Sequence, residues 1–351
     1  MSRIALVTEA FHPAVDESTV TVRHLADEML RRGHQVRLIS AAPGMAVYRE
    51  CRVVRVRSWD PVGSQVRDAL TAFAPDLVIV ASPATIGRKA LKHAQRLGIP
   101  TVTVEHRAPD EFLVEPWLTS VPSRSDVLLT VSSWQRQRLA AAGHESLAWA
   151  PGVDLDTFTP MARSPHLHSR WARSHHPEGP LVAVGYVGPL RKRDGVRRLR
   201  ALDSLAGVRP VVIGDGKQRD WLRHRMRRVT FLPELSSLEL ATAIASLDVL
   251  VHPGEEVTSG HALRAAAACG VPVVAARAGA APELVRHLET GLLFSTRPDD
   301  FADEVAALAL DSSRAEFGRH ARASACRRPW PTAVEELLAI ARPLLAHQHA
   351  A

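Results

Sequence analysis

Short β-branched runs alternate with amphipathic stretches along nearly the whole chain, and this alternation limits the folds open to it. Ile4 to Thr8, Gln35 to Ile39, Leu77 to Val80, Thr101 to Val104 and Val127 to Thr130 read as strands. Thr19 to Arg32 and Arg88 to Leu97 read as helices between them. In the first helix Val22, Leu25, Met29 and Leu30 recur at helical spacing, and Gly33 follows as a stop. Strand–helix alternation of this kind implies parallel sheets covered on both faces.

A second series opens at Leu181. It runs through strand VAVGYVG, a helix from about Arg193, strand Pro210 to Gly214, a helix from Arg219, strand Val229 to Leu232, a helix from Ser236 and strand Asp248 to His252. Between the two series lies PMARSPHLHSRWARSHHPEGP, rich in Pro, His, Ser and Arg and without a clear period. The expected organisation is therefore a Rossmann-like domain over 1–160, a linker over 161–180 and a second Rossmann-like domain over 181–328. A final segment, 329–351, holds a helix from Thr332 to Leu345. A chain of 351 residues can build two separate cores. The fold class expected is α/β, two Rossmann-like domains facing across a cleft. Ligands of such sheets bind at the carboxyl ends of strands. The cleft would face the loops after Thr8, Thr103, Val187, Gly214 and Pro253.

Composition removes several alternatives. No apolar run approaches the roughly 20 residues of a membrane span, and MSRIALVTEAFHP reads as a first strand and not as a signal peptide. Cys51, Cys269 and Cys326 are odd in number and lack metal-ligand spacing, which suits a reducing cytoplasm. The net charge of +7 favours anionic partners, including phosphates and the inner face of a membrane. The densest basic run, RKRDGVRRLR from Arg191 to Arg200, lacks the interleaved aromatics of a single-strand platform, so no nucleic-acid partner is expected. Asp154 and Asp156 form a D-x-D, a pattern that can hold a metal–diphosphate. No Ser/His/Asp or Cys/His constellation is visible.

The stretch HPGEEVTSGHALRAAAACGVPVV, His252 to Val274, is the richest in chemistry. An apolar strand enters a Gly-containing turn, a helix runs from near Gly260 to Cys269-Gly270, and a second apolar strand follows. The N–H groups and dipole of such a helix start favour a phosphate, with Ser259, Gly260 and His261 supplying backbone donors. This stretch resembles the donor segment of retaining GT-B glycosyltransferases, the family that includes the bacterial α-mannosyltransferases. TEAFHPAVDESTVTVRHLADEMLRRGHQVRLIS, LAWAPGVDLDTFTP, VGYVGPL, VVIGDGKQRDWL, FLPELSSLELATAIASLDVLVHPG and ELVRHLETGLLF follow in that family's order and spacing. The resemblance covers nearly the whole chain.

The resemblance implies transfer of a hexose from a nucleoside-diphosphate sugar to a lipid or small-molecule acceptor with retention. It implies no metal and no cofactor, D-x-D being part of the interdomain connection, and a last helix that crosses back to the first domain. Donor binding is expected of Gly188, Gly214 and Gly216 at the strand-end turns, of the helix-start residues Ser259, Gly260 and His261, and of Arg191 and Lys192, which lie between two departed motif positions and which a modest shift of the loop would bring into the cleft. The resemblance places His106 where the family has a loop residue that touches the transferred sugar or helps transfer, and an acceptor-side loop at Asp16, Glu17 and Ser18; Glu256, just before Val257, is the carboxylate that a shifted loop would bring in for catalysis. Several positions depart from the family pattern. Two family glutamates read Val257 and Ala265, the diphosphate Arg and Lys read Pro189 and Asp194, and a usual loop Gly is Glu17. Proline brings neither charge nor N–H, and Val257 and Ala265 cannot accept hydroxyl hydrogen bonds. The expectation is a glycosyltransferase with a degenerate donor motif. The alternative is an inactive relative that binds a nucleotide or a protein partner.

Overall fold

The computed structural model describes residues 1–12, 16–107, 114–172, 180–295, 297 and 299–348. It divides into two compact units. One comprises Met1–Gly152 with Trp330–Ala351, the other Val153–Pro329.

The first unit contains β1 (Arg3–Thr8), α1 (Glu17–Arg31), β2 (Gln35–Ala41), β3 (Val47–Tyr48), β4 (Cys51–Val56), α2 (Val62–Phe73) and β5 (Leu77–Ala81). It continues with α3 (Thr85–Leu97), β6 (Thr101–Glu105), α4 (Val114–Ser120), β7 (Val127–Thr130), α5 (Ser133–Ala141) and β8 (Leu147–Ala148). Among the described residues its sheet has the order β3-β4-β2-β1-β5-β6-β7-β8. Strand pairs are parallel apart from β3 with β4. The pleat sends alternate side chains to opposite faces. Ile4 and Leu6 of β1 therefore join α1, while Ala5 and Val7 join α2 and α3. Both faces are apolar because helices cover both, which is why these strands read as continuous hydrophobic runs.

The second unit contains α6 (Pro165–Ala172), β9 (Val182–Val187), β10 (Val208–Ile213), α7 (Arg219–Arg225), β11 (Thr230–Leu232), α8 (Ser237–Ala245) and β12 (Val249–His252). It continues with α9 (His261–Ala268), β13 (Val273–Ala276), α10 (Ala281–Leu284), β14 (Gly291–Phe294), α11 (Asp300–Leu310) and α12 (Arg314–Ala325). Its sheet has the order β11-β10-β9-β12-β13-β14 among the described residues, all parallel.

The last helix, α13 (Trp330–Gln348), returns to the first unit. Trp330, Ala333, Val334, Leu337 and Ala341 are buried with Val22, Leu25 and Met29 of α1. The Trp149 indole N–H donates to the Ala333 carbonyl at 2.8 Å.

In and around the second unit, two segments differ from the sequence reading. The segment read as a linker holds a 3-10 turn at Pro160–Ala162 and then α6, whose Trp171 and Ala172 are buried in the second unit. Its remainder, 173–179, lies outside the described residues. The helix expected from Arg193 is instead two 3-10 segments, Lys192–Asp194 and Val196–Ser204. Gly195 between them sits in the left-handed region at φ 68°, which breaks a continuous α-helix. A side chain there would also strike the Pro253 backbone.

Candidate active site

Each sheet reverses its direction of growth once. In the second unit the chain runs from β9 outward through β10 and β11, then returns to place β12 on the other side of β9. In the first unit β1 is followed outward by β2 and β4, and β5 then pairs on the opposite edge of β1. The carboxyl ends of the strands flanking such a switch point form the crevice where ligands of open α/β sheets bind.

In the second unit this crevice is built from backbone. Gly188 leaves β9, and its N–H donates to the Ile213 carbonyl at 3.1 Å. Gly214 leaves β10 with φ 133°, and any Cβ there would collide with the Gly188 carbonyl. Leu190 N–H donates to the Asp215 carbonyl at 2.8 Å, and Gln218 N–H donates to the Leu190 carbonyl at 2.9 Å. Gly216 packs on the Leu190 backbone. The Gly188 loop and the Gly214–Gly216 turn are thus pressed together at the strand ends.

Side chains then set the charge. The Tyr186 hydroxyl is buried and donates to the Pro189 carbonyl at 2.9 Å. Burial pushes its pKa up, and the Asp194 carboxylate adds to the rise. Arg191 and Lys192 are exposed at the first 3-10 turn, so the cations of this loop lie on its surface. Arg198 clamps the neighbouring loop. It donates to the Pro253 carbonyl at 2.9 Å and to Glu255 at 2.7 Å. Glu255 is thereby spent on an ion pair, and Glu256 is the exposed carboxylate beside it.

Beyond Glu256 the loop turns inward. Val257 and Ala265 are buried and share one apolar cluster with Leu263, Ala280 and Ala281. The Val257 carbonyl accepts from Ala280 N–H at 2.9 Å. The positions where the family pattern has carboxylates are therefore part of the core. Ser259 is fully buried, Gly260 takes the left-handed N-cap position at φ 60°, and His261 is the first residue of α9.

In the first unit, Asp16, Glu17 and Ser18 are not a loop but the start of α1. Asp16 is the N-cap, and Thr19 completes a capping box with it. The Asp16 carboxylate accepts from Ser18 Oγ at 2.7 Å and Thr19 N–H at 2.9 Å. Burial pushes its pKa up, but those hydrogen bonds and the Arg107 charge outweigh burial and hold it low. His106, just past β6, is fully buried. Its ring nitrogens lie 3.1 Å from Ser82 Oγ and 2.7 Å from Thr21 Oγ1. Thr8 and Ser18 hydroxyls are 3.2 Å apart nearby on β1 and α1. Glu105 is buried against the Trp117 indole N–H at 3.0 Å and Arg107 N–H at 3.0 Å. Burial lifts it to about 7 against the pull of those donors.

The structure places His106 beside Thr21 of α1 in one unit; in the other, Gly188, Arg191 and Lys192 follow β9, Gly214 and Gly216 follow β10 and pack on that loop, and Glu256, Ser259, Gly260 and His261 follow β12. The hydroxyls of Thr8, Thr21 and Ser82 and the Arg198 clamp were not singled out from sequence as site residues. Arg198 lies within the basic run, where nothing in the spacing separates it from its exposed neighbours. Among the described residues no three His, Cys, Asp or Glu gather as a metal site. Among them, too, no helix is long and apolar enough to cross a membrane.

Comparison with known proteins identifies the family. The family described as Glycosyltransferase Family 4 matches residues 18–157, and Glycosyl transferases group 1 matches 182–311. A GDP-mannose-dependent alpha-mannosyltransferase of Mycolicibacterium smegmatis is 34% identical over 364 residues, covering 96% of this chain and 96% of the relative. One of the same description from Mycobacterium tuberculosis is 33% identical, covering 96% and 95%. The crystal structure of Anabaena HepE in complex with UDP and glucose superposes with TM-score 0.81 at 19% identity, over 98% of this chain and 100% of that one. The chain belongs to the GT-B glycosyltransferases of the group 1 and family 4 type.

Proposed function

We propose that this glycosyltransferase moves a hexose, mannose in the first instance, from a nucleoside-diphosphate sugar to a lipid or small-molecule acceptor with retention of configuration. The observation that carries this reading is the backbone crevice at the switch point of the second unit, together with full-length similarity to relatives described as GDP-mannose-dependent. Gly188, Gly214 and Gly216 let backbone approach a ligand closely, and the start of α9 offers N–H groups to an anion. Arg191 and Lys192 add charge at the rim. In the reaction the bond from the anomeric carbon to the phosphate oxygen breaks. The acceptor oxygen bonds to that carbon on the same face, and its proton passes to the departing phosphate. The protein positions both partners and stabilises the charge. We assign Glu256 to the sugar and His106, whose ring nitrogens meet Ser82 and Thr21, to assisting transfer from the acceptor side. We read the reaction as free of metal and cofactor, the diphosphate charge being met by side chains and helix N–H groups.

A second reading has one specific observation in its favour. Val257 and Ala265 are sealed in apolar packing, so this donor site lacks two carboxylates. Each lost transition-state contact costs about 2–4 kcal/mol. On this reading the chain binds a nucleotide, or a partner protein, without turnover. The net charge of +7 suits work in the cytoplasm at the inner face of a membrane under either reading. Calorimetric titration with GDP, UDP and ADP and their hexose conjugates decides first. Micromolar binding of one sugar nucleotide, with label moved to an acceptor extract, supports transfer. Binding without transfer supports the second reading. No binding of any nucleotide at millimolar ligand removes both nucleotide readings and leaves only the protein partner.

A further inference from the structure

We propose that Arg264 is the cation that receives the donor diphosphate in this chain; the assignment rests on the donor reading above. Arg264 lies one turn into α9, and its side chain runs back toward the helix start, as helical side chains do. Its Nε donates to the Ser259 carbonyl at 3.0 Å, immediately before the Gly260 N-cap. The guanidinium therefore sits over the first turn of α9, at the carboxyl end of β12, beside the switch point. Its two terminal amino groups make no hydrogen bond among the described residues.

The surroundings favour an anion there. Burial, with the Arg328 charge adding to it and Glu283 opposing it, lowers the Arg264 pKa to about 10. Two guanidiniums thus act against one carboxylate, and Arg264 remains a cation at neutral pH. A guanidinium held by its Nε alone keeps its terminal N–H groups for a phosphate oxygen, which such a fork can meet in bidentate fashion. The other cation sources of the crevice are weaker. Pro189 has none, Asp194 carries the opposite sign, and Arg191 and Lys192 are exposed to solvent. With Val257 and Ala265 buried, the face of α9 open to a ligand is its first turn, where Arg264 reaches.

The test measures binding of GDP, UDP, inorganic pyrophosphate and guanosine by calorimetry to wild type, R264Q, R264K and R223Q, the last on the exposed face of α7. R264Q is expected to weaken GDP and pyrophosphate by about tenfold or more while leaving guanosine unchanged. R264K should recover part of the loss, and R223Q should match wild type. A folded R264Q that binds GDP within about twofold of wild type overturns the assignment and leaves the donor reading standing. A wild type that binds none of these ligands overturns both. Independently of folding, phenylglyoxal labelling of wild type mapped by mass spectrometry should show Arg264 protected by saturating GDP. Equal labelling with and without GDP overturns the assignment.

Discussion

Ionising Glu105 inside the first unit costs more than ionising it in water, because its carboxyl is buried and only partly repaid by the N–H groups of Arg107 and Trp117. Its pKa rises from 4.5 to about 7 in the fold. A raised carboxylate destabilises the folded state as pH climbs. The effect begins near 4.5, where the unfolded chain gives up its proton, and is complete above 7. Glu105→Gln removes that titration. Its stability should rise relative to wild type by about 3 kcal/mol between pH 4 and pH 8, as read from melting temperatures of both proteins across that range. A constant gap would show that Glu105 keeps an ordinary pKa. Val257 poses the converse problem. Restoring the family carboxylate by Val257→Glu places a charge among Leu263, Ala280 and Ala281. Burying an unpaired carboxylate costs several kcal/mol. Denaturant melts should show V257E destabilised by about 3 kcal/mol or more, with no gain in transfer. An unchanged midpoint would mean that the loop opens freely to solvent.

At the scale of elements, the two loops of the donor crevice depend on each other. Gly214 is held at φ 133° with its α-carbon against the Gly188 carbonyl. Gly214→Ala must part the two loops or strain the backbone, and a loss of about 2–3 kcal/mol is expected. Nucleotide affinity should fall with it, which calorimetry at a temperature where the variant remains folded would separate from unfolding. The alternation of strands and helices was legible because parallel strands buried on both faces must be apolar at every position. The helix over Thr19 to Arg32 was legible because its buried residues recur at helical spacing. Its start was misjudged. Asp16 to Ser18 were read as loop, yet Asp16 and Thr19 form a capping box that a closer reading of D-E-S-T would have found. The 3-10 path over Lys192–Ser204 was hidden, since nothing in RKRDGVRRLR shows that Gly195 would turn left-handed against Pro253. In the segment read as linker, Trp171 was the apolar residue whose burial anchors α6, and its polar neighbours masked it. Candidate residues that share a motif could be named by number from the sequence. Partners drawn from separate elements, such as Ser82 and Thr21 around His106, have no sequence spacing to betray them.

At the scale of the whole molecule, the chain leaves the first unit at Gly152, builds the second and returns through α13. That return makes the first unit depend on the last residues of the chain. Leu337 is fully buried against the face of α1 that carries Val22, Leu25 and Met29. Arg32 of α1's C-terminus donates to the Pro331 carbonyl at 3.2 Å and lies 3.6 Å from Glu335. The exposed ion pair contributes little, so the apolar contact holds the helix. Leu337→Ala should cost about 2–5 kcal/mol, the usual range for emptying a packed core site. Because the units have separate cores, the loss should fall on the first unit. Limited proteolysis with peptide mapping should show cuts within 1–152 appearing at lower denaturant than in wild type, while 153–329 keeps its protection. Equal loss of protection in both units would mean that the two cores unfold as one cooperative block.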